Sequence, residues 1–122
     1  MLDNELHEAT IEFGRTLRYA PAVTSYRTAT EALDADRGAQ ALLADMREQQ
    51  STLVRLQESG LSPTQLQIDA FRRSQELTRA SETIMTSIQA TNEVKAFLPV
   101  VAQYLSRSLG FDYAQLVAPQ SC

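Results

Sequence analysis

Residues 39–65, AQALLADMREQQSTLVRLQESGLSPTQ, decide the fold of this chain. In the first two thirds of this stretch, apolar residues recur at steps of three and four, which is the spacing of one helix face. Six residues, called the seam below, occupy consecutive a and d positions of a heptad repeat over about three heptads. The seam consists of Ala39, Leu42, Met46, Gln49, Leu53 and Leu56. This pattern predicts a long helix that ends near Ser59.

The narrow width of the seam indicates how it packs. A helix in a small monomer usually buries a broader apolar face, whereas two apolar positions per heptad are typical of a helical bundle or a coiled coil. Packing against the following helix explains part of the seam, and we expect self-association as a dimer or tetramer to explain the rest. Gln49 either fixes the register of this packing or lies at a wetter edge of it.

A turn with clear helix-stop and helix-start residues follows. Gly60 stands where a left-handed C-terminal cap belongs. Ser62 predicts an N-cap, with Pro63 at the first helical position and Gln65 completing a capping box. Two long helices joined by so short a turn are expected to pack antiparallel as a hairpin. The second helix is predicted to turn one apolar face inward, formed by Leu66, Ala70, Leu77, Ala80, Ile84 and Ile88.

The rest of the sequence predicts further helices and no strand. No stretch alternates convincingly between apolar and polar residues, so we predict an all-α fold, an antiparallel bundle of about five helices. Two helices are expected before the hairpin, at residues 4–18 and 21–33. After it, we expect a break near residues 90–93 and a last helix at residues 93–109. Pro99 removes a backbone donor from that helix and is expected to bend it.

The end of the chain completes the predicted domain. After Gly110, residues 111–117 are expected to fold back on the last helix. Residues 119–122 are expected to form a loose tail. We find no linker or internal repeat, so the sequence predicts one helical domain over residues 1–122, with an ordered core at about residues 6–119.

Composition excludes several classes of protein. Fifteen acidic residues against eleven Lys and Arg give a net charge of −4, so the basic excess that favours phosphate binding is missing. The single cysteine forms no intrachain disulfide and fits a reducing compartment. Acidic residues follow Met1 where a signal peptide is basic, and no apolar stretch reaches the roughly 20 residues that cross a bilayer. We therefore expect a cytoplasmic protein without a membrane or direct nucleic-acid partner.

Four short elements occur in a recognisable order along the chain. They are Pro21-x-Val23-x-x-Tyr26-x-x-Ala29, the Gln-rich end of the seam helix with Gln49-Gln50 and Leu56-Gln57 before Gly60, Asn92-x-Val94-x-x-Phe97-Leu98, and Leu109-Gly110-Phe111-Asp112-Tyr113. In order and spacing, these elements resemble the YlbF/YmcA family of bacterial helical regulators from about residue 6 to residue 119.

This resemblance implies a small, kinked helical protein that self-associates and has no enzymatic activity of its own. The best-known relatives act in a heteromeric complex that controls competence, sporulation and biofilm formation and that modulates messenger-RNA maturation by ribonuclease Y. The resemblance thus implies other YlbF-like proteins or a ribonuclease complex as partners. In that complex, cysteines near the chain ends help to hold iron–sulfur clusters.

Few side chains of this sequence could support catalysis or metal binding. His7 has no second histidine or cysteine near it, so we interpret it as a structural or solvated residue. Cys122 is the single thiol. Iron–sulfur clusters are held by about four thiolates, so Cys122 could ligate one only where an oligomer or a partner completes the set. Asp34 and Asp36 are interpreted as helix-capping residues rather than metal ligands.

The other charged groups favour solvated helix faces. Arg72, Arg73 and Arg79 form a basic cluster, and Glu76 lies where it can neutralise them. No nucleophile–base pair, metal-ligand spacing or phosphate-binding glycine loop is visible, so no enzyme is expected. We therefore predict a non-enzymatic cytoplasmic regulator or adaptor that acts through protein–protein contacts. Two alternatives stay open: an iron–sulfur sensor subunit that uses Cys122, and a helical RNA-binding module.

Overall fold

The computed structural model describes residues 3–117. Over that range, the chain forms α1 (Asn4–Arg18), α2 (Pro21–Ala35), α3 (Arg37–Glu58), α4 (Gln65–Ala80), α5 (Glu82–Leu109) and α6 (Tyr113–Val117). The described range contains no strand, which confirms the predicted all-α fold. The backbone groups into two compact units. One is Arg27–Gln89, and the other comprises the described parts of Met1–Tyr26 and Ala90–Cys122.

In the first of these units, α3 begins and ends where the sequence predicts. The Asp36 carboxylate caps its N-terminus by accepting a 3.0 Å hydrogen bond from the Ala39 amide. At the C-terminus, Gly60 adopts a φ of 70°, and the Leu61 amide donates to the Leu56 carbonyl at 2.9 Å. This closure reverses the chain, and α4 packs along α3 in the most extensive helix–helix contact of the described residues. The predicted hairpin is confirmed.

The capping box of α4 forms two residues later than predicted. Thr64, not Ser62, is the N-cap: its Oγ1 accepts from the Gln67 amide at 3.2 Å. The Gln67 side chain in turn accepts from the Thr64 amide at 2.9 Å. Pro63 therefore precedes the cap instead of opening the helix, and the first helical residue is Gln65. The reciprocal pair satisfies two amides that would otherwise lack partners.

A helix break at Ser81 corrects the break predicted near residues 90–93. Ser81 is extended and ends α4, and its Oγ accepts a 3.3 Å hydrogen bond from the Ile84 amide at the start of α5. Glu82 adds a negative charge to the first turn of α5, where the helix dipole favours it. From there α5 continues as helix through residues 90–93 to Leu109.

The inward side of α4 also differs from the predicted face. Leu66 and Leu77 are exposed, as is Ile88 on α5, whereas Ile84 is buried as expected. The inward side of α4 instead carries Ile68, Phe71, Ser74 and Thr78, the last two of them buried. The small side chains of Ser74 and Thr78 let the backbones of neighbouring helices approach closely. The closeness of this packing therefore decides which side of α4 is buried, more than the size of its apolar side chains does.

The second unit contains α1, the last twenty residues of α5 and α6. α1 has the predicted bounds, and the Asp3 carboxylate caps it by accepting from the Leu6 amide at 2.8 Å. Pro99 lies inside α5, which continues as helix on both sides of it. Gly110 has a φ of 83° and ends α5, after which the chain forms α6. The predicted tail at residues 119–122 lies outside the described residues.

Candidate interaction surface

The apolar side of α1 is exposed at Leu6 and Phe13 and partly covered at Leu17. Leu6, Phe13 and Leu17 follow one another on one side of the helix, and we call them the α1 stripe. None of the residues of α1 is buried, and Phe13 keeps 45% of its surface. An amphipathic helix gains its stability in water by burying such a stripe against another surface. The α1 stripe therefore has the character of a contact surface.

A ten-residue stretch in the second half of α5 is apolar on nearly all sides. Residues 96–105 read AFLPVVAQYL, with Gln103 as the one strongly polar side chain. A helix of this kind is normally surrounded by other protein. Here Leu98 and Val100 are nearly half exposed, and Tyr104 is 64% exposed. None of the helices in the described residues is long and apolar enough to span a membrane.

One hydrogen bond joins α6 to α5, and a second caps the start of α6. The Tyr113 amide donates to Ser106 Oγ at 2.9 Å, and the Asp112 carboxylate accepts from the Gln115 amide at 3.2 Å. The bond to Ser106 confirms that the chain folds back after Gly110. Both bonds also border an open groove of about 670 Å³. The groove is lined by Pro99, Ala102, Gln103, Ser106, Arg107, Gly110, Phe111, Asp112 and Ala114.

Asp36 links the start of α3 to the start of α5. Hydrogen bonds from the Ala39 amide and from the Thr83 side chain hold the pKa of its carboxyl below the ordinary value. Next to this contact lies a cavity of about 230 Å³, lined by Ala29, Ala32, Glu82, Thr83 and Thr86. Asp36 is therefore the N-cap of α3, as the sequence predicts.

The seam residues lie on the half-buried side of α3. Ala39 is buried, and the other five, Leu42, Met46, Gln49, Leu53 and Leu56, are partly covered. The Gln49 amide donates to the Asp45 carboxylate at 3.4 Å, so its polar end stays on α3 itself. Since α4 is the main contact of α3, the hairpin accounts for part of this coverage. Self-association through the seam stays a prediction.

The polar candidates do not converge on a site in the described residues. His7 and Asp34 are exposed, and so are the basic cluster at Arg72, Arg73 and Arg79 and the nearby Glu76. Within residues 3–117, no group of three or more His, Cys, Asp or Glu is arranged to hold a metal ion. Cys122, the one thiol that could ligate a cluster, lies outside that range. The exposed apolar surfaces of α1 and α5 are therefore the candidate functional features described below.

The order of the helices can now be compared with known families. Residues 6–110 match a family model described as control of competence regulator ComK, YlbF/YmcA. The chain belongs to the YlbF/YmcA family. This match confirms the resemblance seen in the sequence, and the family's description is that of a regulator. No curated protein and no solved structure matches the chain significantly.

One part of the surface of this YlbF/YmcA-family chain was missed in the sequence. Glu93, Val100 and Arg107 are spaced by seven residues on α5 and are all exposed. The sequence pattern predicts a different, inward side for the last helix, formed by Val94, Phe97, Leu98, Val101, Leu105 and Leu109. Four of these residues are partly covered, but Leu98 and Leu109 are exposed, so that part of the prediction is wrong. A heptad spacing with a charge at either end was the signal that could have revealed this surface.

Proposed function

We propose that this chain is a non-enzymatic regulator in the cytoplasm that acts as an oligomer by binding other proteins. The observation that supports this most strongly is the exposed apolar surface on α1 and on the second half of α5. Its candidate partners are a second copy of the chain, other YlbF-like proteins and a ribonuclease complex, as the family resemblance implies. The mechanism is the presentation of helix faces, with no bond made or broken.

The physical argument rests on the side chains that α1 leaves in water. Burying a large apolar side chain contributes about 1.5–3 kcal/mol. Leu6 and Phe13 keep about half of their surface, so covering them provides a large part of that free energy for binding. Acidic groups at Glu5 and Glu8 and a basic group at Arg15 keep the rest of α1 hydrated. A hydrated helix with one apolar stripe is typical of helix-mediated recognition.

Two residues of α1 provide a matched test. Phe13 and Ile11 are each 45% exposed, but they point to opposite sides of the helix. We expect a deletion of the gene in its native host to change transcript levels. Complementation with the wild type or with Ile11→Asp should restore them, whereas Phe13→Asp should not restore them at equal protein abundance.

Each outcome of this experiment is informative. If Phe13→Asp restores the transcripts, the α1 stripe is not the surface through which the protein acts. If the deletion leaves the transcript profile unchanged, the regulatory role is wrong. If both Asp variants fail while both proteins remain folded and abundant, the effect does not depend on the side of α1, which also contradicts the proposal.

The iron–sulfur alternative stays a prediction for Cys122. One thiolate per chain is about a quarter of the set that a cluster needs, so the other ligands would come from further copies or a partner. Residues 3–117 add no metal-binding group of three or more ligand residues. Anaerobic purification, alone and with a native partner, tests the alternative. A brown protein with bound iron that Cys122→Ser loses would support it, and a colourless, iron-free protein would exclude it.

A further inference from the structure

The open groove between the end of α5 and α6 is large enough for a small ligand, and we call it the α5–α6 groove. Its volume of about 670 Å³ lies within the range of roughly 300–1,000 Å³ that is typical of small-molecule sites. On α5 its lining residues extend from Pro99 to Gly110, a rise of about 16 Å along the helix axis. All of the lining residues belong to the same compact unit of the chain.

Apolar residues form a large part of the groove walls. Pro99 and Ala102 come from α5, while Phe111 and Ala114 come from the segment after Gly110. Phe111 keeps 50% of its surface, so much of its ring is available to a ligand. Covering apolar surface of this kind removes it from water, which favours binding. The walls therefore suit a ligand with an apolar body.

The polar groups of the groove differ in whether they already have partners. Ser106 Oγ and the Asp112 carboxylate each accept a hydrogen bond from a backbone amide of α6. Within residues 3–117, the side chains of Gln103 and Arg107 have no hydrogen-bond or ion-pair partner. Arg only donates hydrogen bonds, and the amide nitrogen of Gln donates as well. The polar side chains that remain for a ligand therefore match an anionic head group.

An aromatic ring limits where the Arg107 charge can lie. The Arg107 guanidinium carbon lies 5.5 Å from the centroid of the Tyr104 ring. Because this cation–π contact restricts the long Arg side chain, less of its freedom is lost when it binds a ligand. Gln103 precedes Arg107 by about one helical turn and also lines the groove, so the two side chains share one side of α5. A guanidinium binds a carboxylate through two parallel hydrogen bonds.

Asp112 limits how much negative charge a ligand can carry. Its carboxylate lines the groove, and among the described residues it pairs with no basic side chain. A second negative charge on the ligand would be repelled by this group. A phosphate monoester carries nearly two negative charges at neutral pH, whereas a carboxylate carries one. The charges of the groove therefore favour a monocarboxylate.

We propose that the α5–α6 groove binds a small amphipathic monocarboxylate. Arg107 and Gln103 hold the head group, and the apolar body lies against Pro99, Ala102 and Phe111. This site goes beyond the proposed function, because it gives the chain a small-molecule ligand in addition to its protein partners. It depends neither on the oligomeric state nor on the α1 stripe.

Titration of the full chain with octanoate, followed by the amide signals in two-dimensional NMR, tests the charge contact. Octanoate should shift the signals of residues 99–114 in a saturable way, and octanol, which has the same chain length without the charge, should bind about tenfold more weakly. Arg107→Gln should weaken octanoate binding by a similar factor. Arg79→Gln is the matched control, since Arg79 is also exposed but lies on α4, and it should bind octanoate like the wild type.

Two results of this titration would overturn the proposal. One is the absence of saturable shifts at residues 99–114 of the wild type. The other is equal affinity of the wild type and Arg107→Gln for octanoate, because the head group would then not lie on Arg107. Arg107 is exposed, so its replacement leaves the packing of α5 intact.

Two further variants test the apolar wall and the acidic group. Ala102→Leu fills the groove and should abolish octanoate binding, whereas Ala96→Leu, on α5 but outside the lining, should leave it unchanged. Asp112→Asn keeps a side chain that can cap α6 and removes the repulsion, so it should tighten binding about twofold. Wild-type affinity in Ala102→Leu, or weaker binding in Asp112→Asn, would contradict the proposed position of the ligand.

Discussion

The Tyr113 amide donates a 2.9 Å hydrogen bond to Ser106 Oγ, and through it the last described helix is fastened to α5. Replacing Ser106 with Ala removes the acceptor and should weaken this attachment by about 1 kcal/mol. We therefore expect the backbone amides of residues 113–117 to exchange with solvent about fivefold faster, as measured by hydrogen exchange with mass spectrometry.

Ser108 is the control for this prediction. Its Oγ donates to the Tyr104 carbonyl at 3.2 Å, within α5 itself. Ser108→Ala should leave exchange at residues 113–117 unchanged. Equal acceleration by the two variants would show that the Ser106 bond does not hold α6.

The start of α4 gives a prediction that separates two overlapping capping signals. Thr64→Ala removes the N-cap hydroxyl and should lower the free energy of unfolding by about 1 kcal/mol. Ser62→Ala should change it by less than about 0.5 kcal/mol, because Ser62 lies outside the observed capping box. Urea denaturation followed by circular dichroism measures both. A larger loss for Ser62→Ala than for Thr64→Ala would favour the cap predicted from the sequence instead.

Ser74 is a buried polar residue whose hydroxyl oxygen has no hydrogen-bond partner among residues 3–117. It is only 2% exposed, and an unsatisfied buried hydroxyl is destabilising. Ser74→Ala should therefore raise the free energy of unfolding by about 1 kcal/mol, partly through better helix propensity. Thermal unfolding by calorimetry measures the change.

Thr78, also on α4, is a buried residue whose hydroxyl does have a hydrogen-bond partner. Its buried hydroxyl donates to the Ser74 carbonyl at 2.8 Å. Thr78→Val keeps the side-chain shape and removes this bond, so stability should fall by about 1 kcal/mol. A loss of stability in Ser74→Ala as large as in Thr78→Val would contradict the assignment of the two hydroxyls.

The lowered pKa of Asp36 predicts how the stability of the fold changes at low pH. Hydrogen bonds from the Ala39 amide and the Thr83 side chain lower the pKa of its carboxyl below the ordinary value of 3.8. The ionised group therefore stabilises the folded state above pH 3.8, and this contribution is lost as the pH falls through the folded-state pKa. Asp36→Asn should keep the cap but lose less stability on acidification. Equal acid sensitivity of the wild type and Asp36→Asn in urea denaturation would contradict this.

Local signals in the sequence located most helix ends. Asp36 and Gly60 mark the limits of α3 because capping and left-handed turns depend on short-range chemistry. The start of α4 was harder, since Ser62 and Thr64 are each followed three residues later by Gln. The break at Ser81 had a signal too, a serine followed by Glu82, but the apolar period of the neighbouring residues obscured it.

The exposed apolar surfaces were harder to predict from the sequence than the helix ends. Periodicity shows that one face of a helix is apolar, but it does not show whether another helix covers that face. Ser74 and Thr78 pack inward although they are polar, while Leu66 stays in water. These outcomes depend on how closely α3 and α4 approach, which is a property of the pair of helices. The exposure of Val100 and Tyr104 on α5 likewise became visible only in the structure.

The central claim is that the regulator works as an oligomer, and the mass of the untagged full chain in solution tests it most directly. Multi-angle light scattering over a range of protein concentrations should give at least twice the monomer mass of 13.6 kDa. Leu53→Asp, which places a charge in the predicted seam, should shift that mass toward the monomer while the chain stays helical. A wild-type mass of 13.6 kDa at every concentration would contradict the claim.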